Sequence, residues 1–183
     1  MNKETAKKVI LELENLYPNA KPQLVFNSEY QLLVAVILSA QCTDERVNKT
    51  TKELFMFYGT PQKMATLTKE ELSLMIRPCG LNNSKAEHIL LATKDILTKF
   101  GGQVPSSFED LISLSGVGRK TADVMIAVAF NGDAIAVDTH VFRVANRIGL
   151  AKGENPYQVE MQLMKRIDKN LWSKAHHYLI YHG

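Results

Sequence analysis

Seven consecutive apolar residues, Leu32 to Leu38, place the strongest constraint on how this chain of 183 residues can fold. A segment with no polar face must be covered on every side, so it has to run through the middle of whatever packs around it. Periodicity does not separate helix from strand there, because Val34, Val36 and Ile37 also suit a sheet. The run is far too short to cross a bilayer. Elsewhere helical spacing dominates. Val9, Leu13 and Leu16 recur at spacings of four and three, which predicts a first amphipathic helix ending before Pro18. Thr43-Asp44 starts a helix through Phe57, and Thr68-Lys69-Glu70-Glu71 begins another. Ser84 with Glu87, and Ser106 with Glu109, have the spacing of capping boxes. The first would open a helix through Phe100, the second a short helix just before Gly116. Lys120 to Phe130 reads as a helix with Met125, Ile126, Ala129 and Phe130 inward, broken by Asn131-Gly132-Asp133. Ala134 to Val137 is an extended link, Asp138 caps a helix through Ile148, and two closing helices follow the loop from Lys152 to Pro156. Alternating strands joined by hairpin turns are missing, so the expected fold class is all-α.

Composition narrows the function. Hydrophobic residues make up 45% and charged residues 22%, ordinary values for a globular protein. A net charge of +3 permits nucleic-acid binding without demanding it, so any grip on a polyanion must be local. Cys42 and Cys79 lie far apart with no CxxC spacing and are expected to be buried thiols in a reducing compartment. The N-terminal residues lack the apolar core and small-residue cleavage site of a secretory signal, which leads to the expectation of a cytoplasmic protein with no membrane partner. His88, His176, His177 and His182 form no zinc signature and are read as structural, so no metal site is expected.

The chemistry concentrates in Leu114-Ser115-Gly116-Val117-Gly118-Arg119-Lys120-Thr121-Ala122, followed eighteen residues after the lysine by Asp138. Two glycines one apart make a tight turn that leaves backbone N–H groups uncovered at a helix start, an arrangement that can hold a phosphate. The same turn could also be an interhelical connection with no ligand. Lys120 sits in the first helical turn, at the positive end of the helix dipole. An amine that can lose its proton is a nucleophile, yet from the residues alone Lys120 could equally be a solvated phosphate contact. Asp138 stands at a helix N-cap, a common place for Asp. A carboxylate there could also stabilise positive charge developing beside it, while making a poor general acid.

This segment and four others resemble the helix-hairpin-helix DNA glycosylases of the endonuclease III type. The matching stretches are Leu38 to Asp44, Gly80 to Ala86, Leu114 to Ala122, Ala136 to Val144, and His176-His177 through His182-Gly183. They run in order from about Tyr30 to the last residue. The resemblance decides for helix at Leu32 to Leu38. It implies a two-lobed fold with the active-site cleft between lobes: a six-helix lobe over 22–131, with the helix-hairpin-helix at about 107–130, and a second helical lobe from 1–21 plus 132–183. It also implies a base-excision-repair glycosylase with AP lyase activity on oxidised pyrimidines. In that chemistry Lys120 forms a Schiff base with C1′, Asp138 stabilises charge and helps activate the amine, and β-elimination cuts the strand 3′ to the abasic site. The partner would be double-stranded DNA containing damaged pyrimidines or abasic sites, bound by a monomer.

By the same resemblance Gln41 and Leu81 enter the duplex, one as an amide for the orphaned base and one as an apolar wedge. Their plain alternatives are a helix-terminal Gln and a core Leu. Gly116, Val117, Gly118 and Arg119 would hold phosphate. His140 would line the cleft or simply face solvent, and Arg143 and Arg147, which share a helix face, would touch phosphate or form a solvated face. Ser115 stands where the family usually has proline, which should loosen the turn slightly. Most family members continue past the His-Gly pair into a loop with four cysteines holding a 4Fe–4S cluster. No cofactor is expected within these residues, and the cluster is implied only if residues beyond Gly183 exist, a continuation expected because apolar groups of the last helix need covering. Two other classes fit parts of the pattern. A monofunctional mismatch glycosylase would activate water instead of using an amine, and a non-catalytic helix-hairpin-helix module would not need Asp138, Gln41 and Leu81 in register.

Overall fold

The computed structural model describes residues 1–183, and no strand forms anywhere along them. Eleven α-helices account for the fold: α1 Lys3–Leu16, α2 Glu29–Leu38, α3 Asp44–Tyr58, α4 Pro61–Met64, α5 Lys69–Met75, α6 Asn82–Lys99, α7 Phe108–Ser113, α8 Arg119–Val124, α9 Thr139–Ile148, α10 Pro156–Arg166 and α11 Trp172–His182. Short 3₁₀ turns lie at Arg77–Cys79 and Lys169–Leu171, and a π-helical turn at Met125–Ala129. The chain divides into two compact units, Gln23–Met125 and Met1–Pro22 with Ile126–Gly183. No helix is long and apolar enough to cross a membrane.

In the Gln23–Met125 unit, α2 is buried from Leu32 through Leu38, as an all-apolar helix must be. Leu54 of α3, Leu72 of α5, Ala86, Ile89, Ala92 and Ile96 of α6, and Leu111 of α7 complete that core. Each fully buried leucine or isoleucine contributes on the order of 1.5–3 kcal/mol. The core of the other unit joins Ala6, Ile10 and Leu13 of α1 to Val141, Val144 and Ala145 of α9, Val159 and Leu163 of α10, and Ala175 and Leu179 of α11. The link Ala134–Val137 is buried there, held where His176 Nδ1 meets the Ala136 carbonyl at 2.8 Å.

Several local expectations shift by a residue or a turn. The buried stripe of α1 is Ala6, Ile10 and Leu13, while Leu16 is 61% exposed. A small alanine at the close packing point carries the periodicity that larger residues were expected to carry. The cap before Gly116 is Ser107, accepting from the Asp110 N–H, and not Ser106. Helix α6 is opened three residues before Ser84, at a left-handed Leu81, and the Ser84 hydroxyl donates back to the Leu81 carbonyl. Glu87 pairs instead with Lys69 at 3.4 Å. The single helix expected from Lys120 to Phe130 changes at Met125 to the wider π pitch, with Met125 and Ala127 buried and Ile126, Ala129 and Phe130 only partly so.

Helix α11 also carries a pH-sensitive group. Burial, and then the neighbouring His176, push His177 down to about 4 from 6.5. A histidine whose folded pKa is depressed stays neutral in the native state while the unfolded chain takes up a proton. Its contribution is therefore complete above about pH 6.5 and drains away as pH falls toward 4. Thermal melting should accordingly fall between pH 7 and pH 4.5, and His177→Gln should flatten that slope. An unchanged slope in the variant would show that other groups control the acid side.

Candidate nucleic-acid interface

Eight helices carry a side-chain cap: Asn2, Ser28, Thr43, Thr60, Thr68, Ser107, Asp138 and Asn155 each accept from an N–H in the first turn. Helices α6, α8 and α11 differ. Their N-caps are Leu81, Gly118 and Leu171, and none provides a side-chain bond. Helix α11 follows directly on the 3₁₀ turn Lys169–Leu171, whereas Leu81 and Gly118 belong to turns that the sequence marks for DNA.

The Gly116–Gly118 turn is built as its glycines require. Gly116 has φ +77°, and a Cβ placed there would lie 2.7 Å from the His88 Cβ. Gly116 is thus fixed by conformation and by space. Gly118 has φ −95° with nothing within 4 Å of a Cβ, so neither reason applies to it. Val117 is buried and anchors the turn, its N–H donating to the Leu114 carbonyl at 3.2 Å. Ser115 does not leave the turn loose, because its hydroxyl lies 2.9 Å from His88 Nδ1 on α6. Arg119 stacks over the Phe108 ring, 5.4 Å from its centroid. Lys120 is exposed in the first turn of α8.

Gln41 and Leu81 stand out by backbone conformation. They have φ +54° and +47°, and the only other non-glycine residue at positive φ is Asn131. The left-handed region costs such residues on the order of 1–3 kcal/mol and tends to gather at functional sites. Leu81 is 54% exposed, which removes the core-leucine alternative. Gln41 is exposed as well.

A buried lysine that the sequence reading passed over joins these two turns. Lys85, 3% exposed, donates from Nζ to the carbonyls of Leu38 and Ala40, each at 2.8 Å, and of Cys79 at 2.9 Å. Burial lowers its pKa, opposed by the nearby thiols of Cys42 and Cys79. Three bonds use every donor of an ammonium, whereas a neutral amine has only two hydrogens. Leaving a buried carbonyl without its donor costs on the order of 1–3 kcal/mol. The signal was legible: a lysine one turn before Ile89, on the same face of α6 as Ala86 and Ile89, must reach a buried acceptor.

In the other unit, Asp138 takes extended backbone angles and its Oδ1 accepts from the Val141 N–H at 2.7 Å. His140 and Arg143 are exposed on α9. Arg143 donates to the Gly183 carbonyl at 3.0 Å, so its guanidinium has an intramolecular partner. A cavity of 490 Å³ opens elsewhere, lined by residues such as Arg46, Lys49, Phe57 and Pro78, and none of the sequence-predicted site residues lines it. No group of three or more His, Cys, Asp or Glu converges to hold a metal ion. Cys42 and Cys79 do not make the four-thiolate set of a 4Fe–4S cluster.

Comparison with known proteins defines the class first. The HhH-GPD superfamily of base excision DNA repair proteins matches residues 34–169. Within it, endonuclease III of Rickettsia conorii is 51% identical over 166 residues, covering 91% of this chain and 79% of its own length. Endonuclease III of Haemophilus influenzae is 44% identical over 183 residues, covering 100% of this chain and 87% of its own. A solved structure of a trapped endonuclease III–DNA covalent intermediate, an estranged-adenine complex, superposes with a TM-score of 0.95 at 43% identity, covering 100% of this chain and 86% of that one. The chain belongs to the endonuclease III family.

The two glycines should separate in a stability measurement. Gly116→Ala combines a left-handed alanine, costing about 1–2 kcal/mol, with a contact that His88 must yield to. A melting temperature lower by about 4 °C or more is expected. Gly118→Ala should stay within about 1 kcal/mol of the parent, the usual cost at an N-cap. Equal losses at both would mean that neither the left-handed angle nor the His88 contact constrains Gly116.

Proposed function

We propose that this protein is a base-excision DNA glycosylase with AP lyase activity on double-stranded DNA, in which Lys120 is the nucleophile and Asp138 the charge-stabilising carboxylate. The observation that carries the amine chemistry is the likeness, over the whole chain, to an endonuclease III captured covalently on DNA. In this scheme the Lys120 Nζ, deprotonated, attacks C1′ of the damaged nucleotide, and the C1′–N bond breaks with its electron pair leaving on the base, which is protonated as it departs. Opening of the sugar gives an iminium. Loss of a C2′ proton then expels the 3′ phosphate by β-elimination, and water releases Lys120. Asp138 holds negative charge beside C1′ as positive charge develops. Its Oδ1 is committed to the Val141 N–H, which leaves Oδ2 for that role.

Duplex binding is shared among short-range contacts. Main-chain N–H groups at the Gly116–Gly118 turn hold a phosphate, with Arg119 beside them. Gln41 and Leu81 enter the duplex where the damaged nucleotide has left the stack. Damaged pyrimidines are the substrate class. The unpaired thiols Cys42 and Cys79 support a reducing, cytoplasmic setting.

Borohydride trapping on abasic-site DNA tests the amine directly. Lys120→Gln should abolish covalent trapping and strand cleavage while keeping duplex affinity. Full trapping by that variant would remove Lys120 from the mechanism. Asp138→Asn retains an oxygen for the cap, so it should lower base release by about a hundredfold or more with little change in melting temperature. Turnover near the parent would leave Asp138 as a cap alone. Duplex affinity should fall steeply with salt and depend little on flanking sequence. Gly118→Ala should weaken it, because the open space above that glycine is the phosphate's approach. A flat salt response would contradict a grip made on phosphates.

A further inference from the structure

Lys85 takes no part in the chemistry above, yet it is a buried cation placed between two turns assigned to the duplex. Its carbonyl partners are informative. Leu38 is the last residue of α2, and Cys79 is the last of the 3₁₀ turn Arg77–Cys79. Carbonyls at helix C-termini lack intrahelical donors and form the negative end of the dipole, so an ammonium there meets both needs. The third partner, Ala40, immediately precedes Gln41. Cys79 precedes Leu81 by two residues. A single nitrogen therefore fixes the main chain on the approach to both left-handed residues.

We propose that Lys85 is a positioning residue for base extrusion: its ammonium ties the Gln41 turn to the Leu81 turn and so sets the spacing of the two side chains that enter the duplex. The inference rests on the assignment of Gln41 and Leu81 as duplex-entering residues. Each is held in a conformation that ordinary turns avoid, and a tether to one rigid point keeps both in place without DNA. Binding then need not order the turns, and the cost of that ordering does not appear in the extrusion step. The spacing along α6 supports the same role. Lys85 and His88 are three apart in α6, so neighbouring positions on one helix carry the tether and the side chain bonded to Ser115 of the Gly116–Gly118 turn.

The test compares the parent with Lys85→Met, which fills a similar volume without donors, on two DNAs. One is a duplex with a single oxidised pyrimidine, where the base must leave the stack. The other is a single strand with a ready-made abasic site, where nothing has to be extruded. Single-turnover base release on the duplex should fall about ten- to a hundredfold, the scale of losses from small misplacements. Borohydride trapping on the single strand should remain at the parent level. Equal loss on both DNAs, or no loss on the duplex, overturns the inference.

Gln41→Ala and Leu81→Ala are measured alongside. A duplex-selective loss in them with none in Lys85→Met defeats the role of Lys85 alone. Parent-level duplex activity in both defeats the assignment of the two turns, whatever Lys85→Met does. A second readout does not involve activity. The Cys79 thiol, buried behind the same turn, should react faster with a thiol reagent once Lys85 is gone, and an unchanged rate counts against the tether. If Lys85→Met does not fold, Lys85→Gln retains two N–H donors and goes through the same measurements with the same deciding outcomes.

Discussion

The ammonium of Lys85 on the Leu38 carbonyl that ends α2 ties α6 to α2 inside the Gln23–Met125 unit, and its origin lies in the all-apolar run of α2. A helix buried on every side cannot expose its C-terminal carbonyls to water by tilting, so a donor has to come to them. The Ser39 hydroxyl supplies one, to the Val36 carbonyl at 2.7 Å. Lys85 supplies another from α6, and because an ammonium has three donors it also gathers Ala40 and Cys79. The geometry of the Gln41 and Leu81 turns thus follows from ordinary satisfaction of buried polar groups. Burial of one helix and placement of two exposed side chains are the same problem solved once.

Eight of the eleven helices are closed at the first turn by a side chain, from Asn2 on α1 to Asn155 on α10. That closure is absent where α11 runs on from a 3₁₀ turn, and at Leu81 and Gly118. A side-chain oxygen at Gly118 would compete with a phosphate for the same N–H groups and would bring a Cβ into its approach. At Leu81, exposed in the left-handed region, the backbone angles turn an apolar side chain outward at a cost that packing does not require. Neither start is closed by a side chain, which leaves its first N–H groups open to the DNA contact proposed for these turns.

Much of this was legible in the sequence, and the failures have identifiable causes. The all-apolar run, the caps at Thr43, Thr68 and Asp138, and the Gly116–Gly118 turn are local signals that need no tertiary knowledge. The capping boxes assigned to Ser84 and Ser106 failed because the spacing rule does not see backbone angles. At α6 a left-handed leucine begins the helix three residues early, and at α7 the adjacent Ser107 takes the cap. The change to π pitch at Met125 had no marker, since Met125 to Ala129 has ordinary helical composition. Ser115 was misjudged for a tertiary reason: its partner, His88, is on another helix. Lys85 belongs to no motif spacing of its own, and only its position on an apolar face of α6 marks it as buried.

The choice of residue at Asp138 can be argued further from its fellow caps. Asn2, Ser28, Thr43, Thr60, Thr68, Ser107 and Asn155 are all neutral, and Asp138 is the only side-chain cap that carries a carboxylate. Starting a helix in this protein therefore does not call for charge. A neutral oxygen would satisfy the Val141 N–H as well as Oδ1 does. What a serine or asparagine would lack is a second anionic oxygen held on a side chain whose rotamer the cap has already fixed. Capping supplies the rigidity and a carboxylate supplies the charge, so the structural role of Asp138 is what suits it to the electrostatic one proposed for it.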